Sequence, residues 1–330
     1  MLGSARMPLL AVNASDEIGA IAARLAPHLA ATRGPVIVMV HGFKYTPDIS
    51  ELSPHAHILS LDPRPSGPRA VSWPRHLGCG RGTVGAPDAA APPHRPTAPR
   101  PRTGDDTAEP LCIGFGWDGG GSLWRAWRAA ALAGGALARL VRHLHACSGR
   151  PVQIIAHSMG ARVALRAATA LPPGSIGRVV LLFAAAFRSD ARRALDSPAG
   201  ASAEWLNVTS RENDLFDLLL ELALCAPERT LGAGLKRPAG NWLDMQVDDP
   251  ATLSALAALG HRVAAPERRI CHWSGYLRAG LFPLYRRVLS GDPALPFSTL
   301  RAALPQRQRR RWSRLLAPPA SLPTLFVRRA

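Results

Sequence analysis

Lysine is nearly missing from this sequence, although the chain is strongly basic. Only Lys44 and Lys236 are lysines among 40 Lys and Arg residues, against 23 Asp and Glu residues, and the formal net charge is +17. The arginines are scattered and come with no zinc-finger spacing, aromatic RNA-binding signature or long basic block, so we expect no specific nucleic-acid partner. The densest basic cluster, RQRRRWSR at residues 307–314, is predicted to be a solvated tail or helix face.

Closely spaced cysteines and long apolar runs are missing as well. The five cysteines are widely and irregularly spaced without a Cys-x-x-Cys, which predicts neither a disulfide framework nor a zinc site and fits a reducing compartment. No stretch approaches the ~20 apolar residues of a membrane span, and the N-terminal apolar run is too short for a signal peptide. We therefore expect a soluble, cytoplasmic protein without a transmembrane segment, metal or cofactor.

Short apolar runs alternate with helical patterns along most of the chain. The runs are continuous, which is typical of strands covered by helices on both faces. They occupy residues 36–40, 111–117, 152–156, 179–183 and 205–209, and the clearest helical patterns occupy residues 16–29 and 123–144. We therefore predict a single α/β domain over residues 1–330, with a mostly parallel central sheet and helices on both faces.

Three segments depart from this alternation. Residues 85–110 contain almost no large apolar side chain and are predicted to form a flexible, proline-rich surface insertion. Residues 226–266 have a strand-plus-helix pattern of their own and are interpreted as a possible small cap over the functional site. Residues 315–330 are predicted to form a basic tail. Within the second helical pattern, helical spacing favours a core position for both Trp124 and Trp127.

One serine, Ser158, lies where an apolar strand pattern turns into a helix pattern, in PVQIIAHSMGARVALRAA at residues 151–168. A serine at such a junction could simply cap the helix. However, Ala156 and Gly160 place small residues two positions before and two after it. A sharp strand-to-helix turn that raises a serine above the sheet needs small neighbours, whereas a capping serine does not. The pattern therefore favours a nucleophile over a cap.

The sequence Ala156-His-Ser158-Met-Gly160 resembles the nucleophile elbow of the α/β-hydrolase superfamily, with alanine in place of the first glycine. A second similarity is VIVMVHGF at residues 36–43, a strand followed by His-Gly and an apolar residue. The resemblance implies that the backbone amides of Phe43 and Met159 form the oxyanion hole, and it suggests a structural role for the ring of His41. The antiparallel strands that usually open this fold are hard to find here, so we expect a minimal sheet at the N-terminus.

In this superfamily the serine is followed along the chain by an acid and then by a histidine. Asp214, in a loop that opens an apolar helix after the strand at 205–209, is the preferred acid. Asn213 or Asp214 could instead cap that helix. Glu212 is the nearest alternative acid, and Asp190 is the next.

His272 is the preferred base, because it lies in the C-terminal third, just after a short apolar step. His261 follows Gly260 at a predicted helix end, where a histidine stabilises the helix dipole without any catalytic role. Trp273 and Tyr276 beside His272, and Trp117 at the end of a predicted strand, are candidates to line the substrate pocket.

These residues imply a serine hydrolase that cleaves a carboxylic ester, and less readily an amide or thioester, through an acyl-enzyme. The expected substrate is a small-molecule or lipid-like acyl ester. The alternative is a non-catalytic, hydrolase-like interaction protein whose basic surface and proline-rich insertion bind partners. The sequence does not indicate an oligomeric state.

Overall fold

Seven parallel strands form the central sheet of the computed structural model, which describes residues 9–64, 70–80 and 109–316. The strand order is β1-β3-β2-β4-β5-β6-β7, and every neighbouring pair is parallel. The strands are β1 (Leu10–Asn13), β2 (Val36–Val40), β3 (Leu111–Gly116), β4 (Val152–His157), β5 (Ile176–Leu182), β6 (Glu204–Thr209) and β7 (Trp242–Gln246). The predicted α/β fold with a parallel sheet is confirmed, and β1 pairs with β3 at the sheet edge.

Helices cover both faces of this sheet. They are α1 (Ile18–Ala31), α2 (Trp73–Leu77), α3 (Leu123–Ser148), α4 (Met159–Ala168), α5 (Arg188–Leu195), α6 (Pro198–Ser202), α7 (Asp214–Ala223), α8 (Pro250–Ala258), α9 (Ser274–Leu277), α10 (Leu281–Ser290) and α11 (Phe297–Ala303). One core contains residues of α1 and α3 to α6, and the other contains residues of α2 and α8 to α11. The two cores explain why the strand patterns in the sequence are continuously apolar.

Strand β2 shows how one apolar run serves two cores. Val36, Val38 and Val40 belong to the core under α3 and α4, whereas Ile37 and Met39 belong to the core under α10. Because successive side chains of a strand point to opposite faces, a run without polar residues is needed when both faces are buried.

The sequence pattern suggested that residues 226–266 form a small separate cap. In the structure they do not. Their strand, β7, pairs in parallel with β6 along Trp205–Trp242 to Thr209–Gln246 and so completes the central sheet. Residues 85–108 of the predicted insertion and 317–330 of the predicted tail lie outside the described residues.

Cys79, just after α2, and Cys112, in β3, form a disulfide. Their Cα atoms are 6.1 Å apart, within the range that a disulfide spans. The cysteine spacing predicted no disulfide framework, and this one pair is a disulfide that the spacing did not indicate. The two residues are 33 positions apart, and only the fold brings them together. Of the described helices, none combines the length and the apolar character needed to cross a membrane.

The basic cluster near the C-terminus is docked on the protein in part: Arg311 and Arg314 are half-buried, whereas Arg307, Arg309 and Arg310 are exposed, as predicted for a solvated segment. We call residues 307–316 the C-terminal strap. The guanidinium of Arg311 donates to Glu221 at 2.9 Å, and the amide of Trp312 donates to the Asp214 carboxylate at 2.7 Å. Arg314 donates to the carbonyl of Pro266 at 2.8 Å. The strap therefore connects α7 to the segment that precedes residue 272.

The two tryptophans of the first turns of α3 lie in different environments. Trp127 is half-buried, with the Arg162 guanidinium 3.6 Å from its ring centre. Trp124 is 53% exposed, so its predicted place in the core is wrong. Trp124 lies two residues before the buried Ala126 and therefore on the outward side of α3, about 200° around the helix from Ala126.

Candidate active site

Ser158 forms a strained bend between β4, which ends at His157, and α4, which begins at Met159. Its backbone has φ 55° and ψ −124°, an unfavourable conformation for a residue with a Cβ atom. The bend is held because the Ser158 amide donates to the Leu182 carbonyl at 3.0 Å. The Ser158 side chain makes no capping hydrogen bond to α4. The capping interpretation is therefore not supported, and the hydroxyl is available for other contacts.

Two glycines allow this bend to pack tightly against the loop that follows β2. A Cβ atom on Gly160 would lie 2.4 Å from the carbonyl oxygen of His41, and one on Gly42 would lie 2.8 Å from Cβ of Ser158. No side chain fits either position without displacing backbone. The residues after Gly42 and after Ser158 are Phe43 and Met159, the predicted oxyanion donors. Met159 opens α4, where first-turn amides have no carbonyl acceptor within the helix.

His41 holds the loop after β2 in place and is neutral. Its Nε2 accepts from the Trp117 amide at 2.9 Å, which leaves Nδ1–H to donate to the Gly42 carbonyl at 2.9 Å. Burial lowers the pKa of His41 to about 3. Trp117 is itself buried and its indole donates to the His41 carbonyl at 2.9 Å. Trp117 therefore supports this loop, and its predicted role in lining the pocket is corrected.

His272 lies against the Ser158 hydroxyl. Its Nε2 is 2.9 Å from Ser158 Oγ, across 114 residues of sequence. Burial, with a smaller contribution from the nearby His157, lowers the pKa of His272 well below its ordinary value. A neutral ring leaves Nε2 free to accept the hydroxyl proton, provided that Nδ1 carries the ring hydrogen. The structure thus brings together the serine and histidine that the sequence analysis selected.

The third residue of the set is Asn213 and not Asp214. Asn213 Oδ1 is 2.6 Å from His272 Nδ1 and can accept its hydrogen. The Asp214 carboxylate instead lies 3.2 Å from the Arg211 guanidinium and accepts from Trp312. The physical reason is that residues 211–213 form a 3₁₀ turn that leads directly into α7, so adjacent side chains point in different directions and only one of them faces His272.

The two alternative acids also lie away from the His272 ring. Glu212 is buried in an ion pair with Arg278 and accepts from the Ser274 hydroxyl at 2.7 Å, while its carbonyl accepts from the Cys271 amide at 2.9 Å. It therefore ties the His272 loop to the loop that carries Asn213. Asp190 is buried in α5, where it pairs with Arg162 at 3.0 Å.

The elbow also contributes His157, which the sequence analysis did not single out. Its Nε2 donates to the His272 carbonyl at 3.0 Å, and burial lowers the pKa of His157 to about 4. This bond fixes the backbone of His272 relative to the elbow. The sequence signal that could have drawn attention to His157 is its position directly before the serine of the elbow pattern.

Of the aromatic residues near His272, two contact its ring and one packs beneath the site against His157. Trp273 is half-buried and lies edge-on to the His272 ring, with ring centres 5.8 Å apart. Phe216, which the sequence analysis missed, stacks on the same ring at 4.8 Å. Tyr276 is buried against His157 at 5.1 Å, so it supports the site from below. His261 lies elsewhere, with its Nε2 3.0 Å from the Arg287 guanidinium.

Comparisons of the chain with known proteins found no match that would assign it to a family. No protein-family model matches the chain, and no curated protein matches its sequence. The α/β fold is established by the structure, and any functional interpretation depends on the arrangement of Ser158, His272 and Asn213.

Proposed function

We propose that this protein is a serine hydrolase of the α/β-hydrolase type that cleaves carboxylic esters, and amides or thioesters less readily, through Ser158, His272 and Asn213. The observation that carries the proposal is the chain of two contacts from Ser158 Oγ to His272 Nε2 and from His272 Nδ1 to Asn213 Oδ1, at 2.9 and 2.6 Å. Such a chain activates a serine.

In the proposed mechanism His272 takes the proton of the Ser158 hydroxyl as the oxygen attacks the acyl carbonyl. The alcohol leaves with that proton, and water then releases the acyl group from Ser158 by the same route in reverse. The amides of Phe43 and Met159 stabilise the negative charge on the carbonyl oxygen. Removing one such donor typically costs about 2.7–4 kcal/mol of transition-state stabilisation.

Asn213 orients His272 without adding a charge. By accepting from Nδ1 it keeps the hydrogen there and leaves Nε2 for Ser158. An asparagine also occupies this place in cysteine proteases with a Cys-His-Asn arrangement. Unlike a carboxylate, it gives the protonated ring no ionic partner. We therefore expect slower acyl transfer than a carboxylate would support.

The test is labelling by a fluorophosphonate probe, which reacts with activated serines. Wild-type protein should be labelled and Ser158→Ala should not. Ser122→Ala is a matched control, because Ser122 is an ordinary helix cap that accepts from the Arg125 amide, and this variant should label normally. A folded wild type that does not react would favour the alternative of a non-catalytic interaction protein. A panel of chromogenic esters of increasing acyl length then defines the substrate.

The cytoplasmic location stays a prediction. The Cys79–Cys112 disulfide weighs against the part of that prediction that came from cysteine spacing, because disulfides persist mainly in oxidising compartments. Fractionation of cells that express the protein, with thiol alkylation before lysis, measures both the location and the state of this pair.

A further inference from the structure

Helix α7 buries three acidic side chains together with Leu220, and it exposes two leucines, unlike an ordinary surface helix. Asp214, Asp217 and Glu221 are buried, whereas Leu219 is 53% exposed and Leu222 is 63% exposed. Surface helices of globular proteins normally bury the leucines and expose the acids. Leucines at this exposure lose the stabilisation that burial would provide, so their position requires an explanation.

Two of these acids, Asp214 and Glu221, face inward toward arginines. Arg311 of the C-terminal strap contacts Glu221 at 2.9 Å, and Arg211 contacts Asp214 at 3.2 Å. These partners determine which side of α7 is buried. The outward position of the leucines is therefore built into the packing of the helix.

Other exposed apolar side chains adjoin both ends of α7. At its C-terminal end the indole of Trp124 donates to the Ala223 carbonyl at 2.9 Å. At its N-terminal end Ile270, 41% exposed, precedes the Cys271 amide that donates to Glu212. Leu316, 78% exposed, follows Leu315, whose carbonyl accepts from Arg269 at 2.9 Å. We define the apolar face as these exposed side chains, Trp124, Leu219, Leu222, Ile270 and Leu316.

The apolar face borders the catalytic histidine. Phe216, in the first turn of α7, stacks on the ring of His272 at 4.8 Å, and that ring contacts Ser158. The elements that carry the face follow the carboxyl ends of β3 and β6. In parallel sheets that edge is where ligands bind. A partner bound to the apolar face would therefore lie next to the nucleophile.

Basic side chains flank the apolar face. Arg268 and Arg269 directly precede Ile270 and are exposed, and Arg128 is exposed one turn after Trp124. The exposed acid beside them in sequence is Glu267. The acids of α7 are turned inward, and Asp214 and Glu221 are paired with arginines there, so these acids do not offset the arginines beside the apolar face. Apolar side chains flanked by arginine are suited to the boundary between acyl chains and anionic headgroups.

We propose that the apolar face docks on an anionic lipid surface, and that acyl esters held in such a surface are the substrate class of the site. This inference rests on the proposed hydrolase activity. The leucines and Trp124 enter the headgroup region, the arginines bind the headgroups, and Ser158 is held beside the ester bonds. The charge of +17 adds attraction from a distance.

Vesicle binding tests the docking step without turnover, using the Ser158→Ala protein. Binding to vesicles of equal parts phosphatidylglycerol and phosphatidylcholine should exceed binding to phosphatidylcholine alone and should weaken as salt rises. Adding Leu219→Gln and Leu222→Gln should weaken binding by about tenfold for each leucine. Leu132→Gln is the matched control, because Leu132 is an 80% exposed leucine in the middle of α3 and should not affect binding.

The docking proposal is overturned if the double leucine variant binds as well as its parent, or if Leu132→Gln weakens binding equally. It is also overturned if the protein is a dimer in solution and the leucine changes make it monomeric, since the face would then join two copies. Unchanged melting temperatures exclude unfolding as the cause. Hydrolysis of a water-soluble ester by wild type tests the proposed activity separately, so failure of the two proposals can be distinguished.

Discussion

Replacing Asn213 with aspartate should move the working pH range of the proposed hydrolase upward. In the wild type the neutral Asn213 amide lies 2.6 Å from His272 Nδ1, and burial holds the pKa of His272 well below its ordinary value. The acidic limb of kcat/KM reports the base of the free enzyme. We therefore expect the wild type to lose activity only well below pH 6.5.

The size of the change follows from the charge that the variant introduces. A carboxylate and an imidazolium about 4 Å apart attract by about 4 kcal/mol at an effective dielectric constant of ~20. That energy corresponds to about 3 pH units, and the cost of burying the new carboxylate reduces it. Neighbouring opposite charges typically move a titration by about 1 to 3 pH units. Asn213→Asp should therefore displace the acidic limb upward by about 1 to 3 pH units.

The assay is kcat/KM for a water-soluble chromogenic ester between pH 4 and pH 9, with Asp214→Asn as the control. Asp214 faces Arg211 and the Trp312 amide, so Asp214→Asn should lower stability but leave the limb in place. Asn213→Ala removes the acceptor of Nδ1 and should lower kcat by about a hundredfold or more. A limb that moves in Asp214→Asn and not in Asn213→Asp would refute the assignment of Asn213.

Three further changes test the surroundings of the site. Gly42→Ala places a Cβ atom 2.8 Å from Ser158 Cβ and should reduce ester turnover by about a hundredfold or more in a folded protein; normal turnover would show that the loop is looser than described. Glu212→Gln leaves the buried Arg278 without its charge partner and should cost about 3–5 kcal/mol of unfolding free energy, measured with denaturant. Burial raises the pKa of Asp217 to about 7, so Asp217 contributes stability that is lost as pH rises from about 4 to 7. Asp217→Asn removes that loss, and its unfolding free energy should gain about 1.4 kcal/mol per pH unit relative to wild type over that range; parallel curves would contradict the raised pKa.

The elements that sequence alone could predict are those whose local pattern and tertiary role agree. Strand β2 is apolar at each position because both of its faces are buried, and the sequence run gives its bounds directly. The bend at Ser158 requires small neighbours, and the glycine at position 160 makes that requirement visible in the sequence. Chain order then leaves His261 and His272 as partners of Ser158, and the helix-end position of His261 favours His272.

The choice between Asn213 and Asp214 could not be made in that way. Both precede an apolar helix, and the direction of each side chain depends on how the 3₁₀ turn meets α7. It depends also on Arg311 and Trp312, which lie almost a hundred residues later and bind the Asp214 side of the helix. Local spacing contains no information about such partners.

Strand β7 and the strap were misinterpreted for a related reason. Residues 242–246 read as part of a small extra unit, since nothing local indicates that β6 is their neighbour. Residues 307–314 were predicted to be solvated because arginine normally prefers water, and Arg307, Arg309 and Arg310 are indeed exposed. Arg311 departs from that preference because Asp214 and Glu221 of α7 are charged partners for it.

The strap has a consequence for biosynthesis. It fastens the loops that carry Asn213 and His272, and its contacts come from residues as late as Trp312 and Arg314. A chain emerging from the ribosome therefore possesses its nucleophile long before it can hold the two residues that activate it. Nascent chains arrested near residue 300 should not react with a fluorophosphonate, whereas the same chains lengthened beyond the strap and released should react. If the proposed activity holds, the serine should therefore become reactive only after translation has passed the strap.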